Sequence, residues 1–241
     1  MSRLVRYILT SQGLQADKKK IAAIQNTTVP QDVTQLRSFL GLANYCARFI
    51  RNFATLTAPL RDLTKKGVKY EWTPTQQQAF EQVKDAIMAD CLMAYYDPQK
   101  KTTLTVDASP YGLGAILSNI DKDGTARHVA YASRSLTEVE QKYSHTEKEA
   151  LAVVWGCERF HIYLIGTKFD LFTDHKALEV IFTPTSKPPA RIERWALRLQ
   201  QYDLATQLMY YPRCLCPPLS PNTMSQMNTL TSLLPMLFQS Q

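Results

Sequence analysis

The sequence predicts a mixed α/β fold: a mixed five-stranded sheet with flanking helices, preceded by a small, mainly helical unit. Three observations carry this. Residues 102–133 divide into short apolar stretches separated by turn signals, the pattern of successive strands. A long helical period follows over 144–162, and strand, helices and strand close the pattern. Upstream, apolar residues recur mainly at helical spacing behind capping signals.

Taken in order, residues 4–9 and the turn at Ser11-Gln12-Gly13 read as a strand pair, and 17–24 turns helical. Pro30 breaks the chain, and Asp32 with Gln35 offers a capping box. Behind it Val33, Leu36, Phe39, Leu40, Ala43, Cys46, Ala47 and Ile50 keep helical spacing. A short helix is expected over 57–63, stopped at Lys65-Lys66-Gly67. Thr73-Pro74-Thr75-Gln76 opens a connector helix whose apolar face is Ala79, Phe80, Val83 and Ile87, and Asp97-Pro98 ends the connector.

Strands are then expected at 102–106, 113–118 and 129–133, with a hairpin signal at Asp123-Gly124. The long helix carries Ala150, Val153, Val154, Cys157, Phe160 and His161 on its inner face. A strand at 169–172, helices at 176–182 and 192–201, and a strand at 204–210 complete the sheet. From 213 the chain is rich in proline and serine, without an acidic residue, and is expected to be mostly disordered.

With 45% hydrophobic and 20% charged residues, the 241-residue chain has an ordinary globular composition. No apolar run approaches the ~20 residues of a membrane span, and the N-terminus lacks signal-peptide features. A cytoplasmic or nuclear protein, not secreted, is expected, with no membrane partner. The five cysteines (46, 91, 157, 214 and 216) form no CxxC pair, which leaves a zinc site unsupported. The net charge of +7 is unevenly spread: residues 1–70 hold 12 Lys and Arg against 3 Asp and Glu. Such a balance points to a polyanion contact there, although a solvated basic surface accounts for it too.

Three carboxylates stand where chemistry could use them. Asp107 ends the first strand of the sheet, Glu149 lies in the first turns of the long helix, and Asp174 ends the fourth strand. Acids converging on one sheet edge repel unless divalent cations neutralise them, and hard oxygens suit Mg2+ or Mn2+. Each acid also fits a structural role: an Asx turn before Pro110 for Asp107, a capping box with Thr146 for Glu149, an N-cap for Asp174. Ser144 and Glu147 offer the same box and would leave Glu149 to other work. Spacing does not choose between these.

Motifs go further. TVDASPYGLGAILS (105–118) resembles the opening of the ribonuclease H domain of gypsy-type long-terminal-repeat retrotransposons. The likeness continues through HVAYASRSLTEVEQKYSHTEKEALAVVWGCERFHIYLIG (128–166), FDLFTDHKAL (169–178) and RIERWALRLQQYD (191–203). Upstream, LTSQGLQADKKKIAAI (9–24) and LRSFLGLANYCARFIRNFATLTAPL (36–60) resemble the thumb of the same reverse transcriptases. The resemblance implies a thumb-like segment (1–70), a helical connector (71–100), a ribonuclease H-like domain (101–212) and a tail (213–241). It implies that Asp107, Glu149 and Asp174 are catalytic and hold two Mg2+ or Mn2+ ions. The expected activity is hydrolysis of the RNA strand of RNA–DNA hybrids, with the rest of a reverse transcriptase as a further partner.

The departures also count. The family's polymerase palm is not in this sequence, and Tyr95-Tyr96-Asp97-Pro98 lacks a second aspartate, so DNA synthesis by this chain is not expected. The likeness stops at Met209-Tyr210-Tyr211-Pro212-Arg213, before the C-terminal helix that brings the family a fourth aspartate, and no Asp or Glu follows Asp203. A catalytically inactive remnant that binds nucleic acid or a protein is therefore the alternative. Arg191, Arg194 and Arg198 form a helical stripe that could meet phosphates or simply face solvent beside Glu193. His145, His161 and His175 are weaker candidates, and Trp72, Trp155 and Trp195 read as packing residues.

Overall fold

The computed structural model describes residues 3–4, 7–88, 92–173 and 190–205. The first part begins with an antiparallel sheet, β1 (Arg3–Leu4), β2 (Tyr7–Thr10) and β3 (Gly13–Ala16), joined later by β4 (Leu92–Met93). The β2–β3 hairpin turns at Ser11-Gln12 as expected, with Thr10 opposite Gly13. Gly13 has φ +147°, and a Cβ there would lie 2.1 Å from the Met93 carbonyl oxygen, so the close pass of β4 requires glycine.

Helices α1 (Lys18–Gln25) and α2 (Val33–Asn44) follow. Asp32 caps α2 by accepting from Gln35 N–H at 2.8 Å, while the Gln35 side chain turns back to the Gln31 N–H at 3.0 Å instead of that of Asp32. The apolar spacing that points to one helix through Ile50 overruns the real element. Beyond Asn44 the bonds tighten to three-residue steps, Tyr45 N–H to Leu42 and Cys46 N–H to Ala43, and a 3-10 turn covers Ala47–Phe49. Cys46, Phe49 and Ile50 are buried nonetheless, so helical spacing survives without the helix. The helix expected over 57–63 is instead a pair, α3 (Phe53–Leu56) and α4 (Ala58–Asp62). Pro59 explains the break: it has no N–H for the Thr55 carbonyl. Thr57 links the two pieces, donating to the Phe53 carbonyl at 2.8 Å and accepting from Arg61 Nε at 2.9 Å.

Helix α5 (Pro74–Met88) buries Ala79, Phe80, Val83 and Ile87, the face its sequence spacing indicates. These join Leu36, Phe39, Ala43, Phe53 and Leu60 in the first of two cores. Phe39 and Phe80 rings lie 4.6 Å apart, and Trp72 meets Phe80 edge-on.

The second sheet has the order β7-β6-β5-β8-β9. Strands β5 (Lys101–Ala108), β6 (Gly112–Ile120) and β7 (Ala126–Ser135) form an antiparallel meander. Helices α6 (Glu138–Gln141), α7 (His145–Arg159) and α8 (His161–Leu164) then lead to β8 (Phe169–Phe172), which pairs parallel with β5. After α9 (Ala190–Leu199), β9 (Leu204–Ala205) adds parallel to β8. The long helix is therefore divided at Phe160 (φ −109°, ψ 20°), which is buried in the second core with Ala150, Val153, Val154 and Cys157.

Alternation in β5 sends Leu104 and Val106 toward α7. The helix lies so close that a Cβ on Gly156 would come within 2.7 Å of Val106 Cγ1. The helix expected at 176–182, the strand beyond Ala205 and the tail from 213 lie outside the described residues.

Candidate functional site

The order of elements fixes where the candidate acids fall. Ser135 at the end of β7 pairs with Gly112, and Ala108 at the end of β5 pairs with Leu113, so β5 and β7 finish at the same end of the sheet. Strand β8 starts beside Thr102, at the other end. Helices α6 to α8 must therefore carry the chain back along the sheet, and the start of α7 belongs to the end where Asp107 lies. Strand β8 then runs toward that end, with Phe172 beside Thr105. Asp174 and His175 lie outside the described residues.

Glu149 sits in the second turn of α7, and its side chain is buried to 0% exposure of the residue. The helix start is capped by Ser144 and Glu147, each side chain serving the other's backbone. The capping role thus falls to Glu147, which also meets Arg191 at 2.5 Å. Its carboxyl is held below the usual range by the Ser144 N–H bond first, with Arg191 adding to it. His145, one turn before Glu149, has its Nε2 3.9 Å from the Glu149 Oε1.

Asp107 is half-buried and approaches from the opposite face of the sheet, since alternation puts it away from Val106. There its Oδ2 accepts a hydrogen bond from Asn52 Nδ2 at 3.2 Å. Two further bonds fasten the same stretch to the strand ends: Ala54 N–H to Ser133 Oγ at 2.6 Å, and Thr55 Oγ1 with Ser109 Oγ at 2.9 Å. Nothing in the spacing of the sequence signals Asn52; its local context is that of a residue before a short helix.

The arginine stripe divides. Arg191 lies over the Tyr143 ring at 4.1 Å besides pairing with Glu147, and Arg198 pairs with Glu158. Both tie α9 to α7. Arg194 is exposed, its Nε donating to the Ala190 carbonyl at 3.2 Å. His161 meets the Tyr202 hydroxyl at 2.9 Å. The Tyr95–Pro98 stretch is structural: Tyr96 donates to the Tyr163 carbonyl, and Asp97 accepts from Gln99 N–H. A cavity of about 580 Å³ opens at the far end of the sheet, around Lys100, Asp121 and Arg127, away from these acids. Among the described residues no three metal-ligating side chains cluster, and no helix is long and apolar enough to cross a membrane.

Residues 97–202 match the family model of the RNase H-like domain found in reverse transcriptase. Over 200 residues the chain is 36% identical to the Retrovirus-related Pol polyprotein from transposon 412 of Drosophila melanogaster. The chain is a retrotransposon-type reverse transcriptase segment carrying an RNase H-like domain. The match to transposon 412 covers 83% of this chain and 16% of that polyprotein. A similar match, 33% identical, takes in 87% of the segment and 16% of the Transposon Tf2-3 polyprotein of Schizosaccharomyces pombe. This RNase H-like segment thus spans about a sixth of the length of these relatives. Its fold also resembles that of a part of the foamy viral protease-reverse transcriptase. One structure of that protein, in complex with RNA/DNA hybrid, gives a TM-score of 0.68 at 22% identity over 92% of this chain and 30% of that one. A second, the dRH form with ds DNA, gives 0.69 at 22% identity over 88% of this chain and 38% of that one.

Proposed function

We propose that the segment is an endonuclease of ribonuclease H type that hydrolyses the RNA strand of RNA–DNA hybrids, with Asp107, Glu149 and Asp174 holding two Mg2+ or Mn2+ ions. The observation that carries this is Glu149. A carboxylate at 0% exposure is costly to keep charged in a protein interior unless a cation or donors compensate it, and this one sits at the Asp107 end of the sheet. The donor set fits the ions, because carboxylate oxygens are the ligands that hard divalent cations prefer. Asp174, two residues past Phe172, is the third ligand by motif.

When bound, such ions activate water and stabilise a leaving oxygen in phosphodiester hydrolysis. The rest of the work belongs to the chain. Strand β5 and helix α7 hold the two described acids on rigid elements, and the Ser144–Glu147 box keeps the second acid out of capping. Arg194 and the basic residues of 1–70 supply phosphate contacts, with hybrid recognition through groove shape and 2′-hydroxyls.

Cleavage of an end-labelled hybrid in Mg2+ or Mn2+ tests this. Asp107→Asn and Glu149→Gln should each lower the rate by about a hundredfold or more, taking the loss of a metal ligand to exceed the 10–100-fold of an outer-shell change. Equal cleavage by parent and Asp107→Asn would sink the proposal. The second reading, an inactive remnant that still binds nucleic acid, is favoured by the lack of any acid after Asp203. Absent cleavage with retained, salt-sensitive hybrid binding would establish it.

A further inference from the structure

Asn52 belongs to the helical unit, yet its side chain ends on a proposed metal ligand of the RNase H-like sheet. Among the described residues it is the one non-glycine with positive φ, at φ 52° and ψ 33°. The left-handed conformation suits asparagine better than most side chains, and it aims the amide across the β5–β6 pair. Nδ2 donates to Asp107 Oδ2. Oδ1 lies over Gly114, the ladder partner of Asp107, where a Cβ would come within 2.3 Å of it. The amide is therefore seated in a notch that exists because residue 114 has no side chain.

We infer that Asn52 is a positioning residue for the metal site: it holds the Asp107 carboxylate in one orientation and so raises the affinity of the site for divalent cations. Among the described residues Asn52 donates to Asp107 at Oδ2, and a carboxylate has about four lone-pair sites, so one such bond is compatible with cation ligation. Ligating carboxylates commonly depend on such outer partners. Three bonds near this point, from Asn52, Ala54 and Thr55, make the docking of the helical unit part of the site's construction. The inference rests on the metal-site proposal above.

Direct Mn2+ titration of the full chain, without substrate, followed by electron paramagnetic resonance, is the test. Asn52→Gly keeps the left-handed backbone without strain and deletes only the amide. Gly114→Ala pushes the amide from its notch while leaving Asn52 and Asp107 in place. Both should weaken Mn2+ binding by about tenfold or more, as outer-shell changes do. Hybrid affinity in the absence of metal and the melting temperature of Asn52→Gly should stay near those of the parent. Mn2+ binding within about twofold of the parent in both variants, with Asp107→Asn much weaker, would overturn the role of Asn52 and leave the metal site standing. A parent that binds Mn2+ no better than Asp107→Asn would overturn the metal site and this inference together.

Discussion

Gly156→Ala sets two well-known effects against each other. In an exposed helix the change would stabilise by about 1 kcal/mol, because glycine is the poorer helix former. Here the added Cβ would sit 2.7 Å from Val106 Cγ1, 3.5 Å from Ala115 Cβ and 3.6 Å from Leu104 Cδ2. Val106 and Ala115 are each 2% exposed and Leu104 0%, on adjacent strands, so none can swing away. The helix must instead lift from the sheet by about 1 Å to restore van der Waals contact, and overpacking of this kind costs about 1–3 kcal/mol. The net expectation is a loss of up to about 2 kcal/mol, or up to roughly 8 °C in Tm for a protein of this size. Glu149 lies about two turns before Gly156 on the same face of α7. Lifting the helix therefore moves it relative to Asp107, and hybrid cleavage should fall further than stability does. Thermal denaturation followed by circular dichroism gives the sign directly. A Tm above that of the parent would refute the packing argument. Gly41→Ala is the control: it lies in α2 with nothing within 4 Å of its Cβ, and should stabilise by about 1 kcal/mol.

Other expectations follow from single contacts. Glu140 receives both ends of the Arg134 guanidinium, at 2.7 and 2.9 Å, and closes a capping box with Thr137. Arg134 above all holds its carboxyl below the usual glutamate range. The stability it contributes is thus present above the ordinary glutamate pKa and is lost as pH falls through the depressed folded value. Glu140→Gln should cost about 1–2 kcal/mol in denaturant unfolding at pH 7, shrinking toward zero in acid; a deficit that grows in acid would contradict it. Cys157 is fully buried and its thiol is pushed up to about 12 by that burial. Alkylation at pH 8 should spare it in the folded chain and modify it in denaturant, as peptide mapping would show.

Much of this was legible in local chemistry. The Ser144–Glu147 box was one of two that four-residue spacing offers at this helix start, and the structure shows that it is the one that caps α7. The face of α5 and the strand ending at Asp107 also follow from periodicity, because period and burial are set by nearest neighbours. Where helical spacing ran past Asn44, it recorded the burial of Cys46 and Ile50, which a 3-10 turn achieves equally well. Strand β4 is two residues long and shows no period at all. Asn52 was illegible for another reason: its meaning depends on Gly114, a residue on a different element that acts by lacking a side chain. Arg191 and Arg198 look alike in a helical stripe with Arg194 until α7 supplies Glu147 and Glu158.

The parallel pairing of β5 with β8 has a consequence for how the chain is made. A ribosome releases β5, β6 and β7 early, and these can zip into a meander by local contacts. Strand β8 emerges only after three helices, and until then the β8 side of β5 is an open strand edge able to recruit other chains. A nascent or prematurely ended product lacking residues from Phe169 onward would carry Asp107 and Glu149 without the strand that closes the sheet beside them. Such a product is aggregation-prone before it is anything else, so the sheet's integrity is decided by strands made after α8.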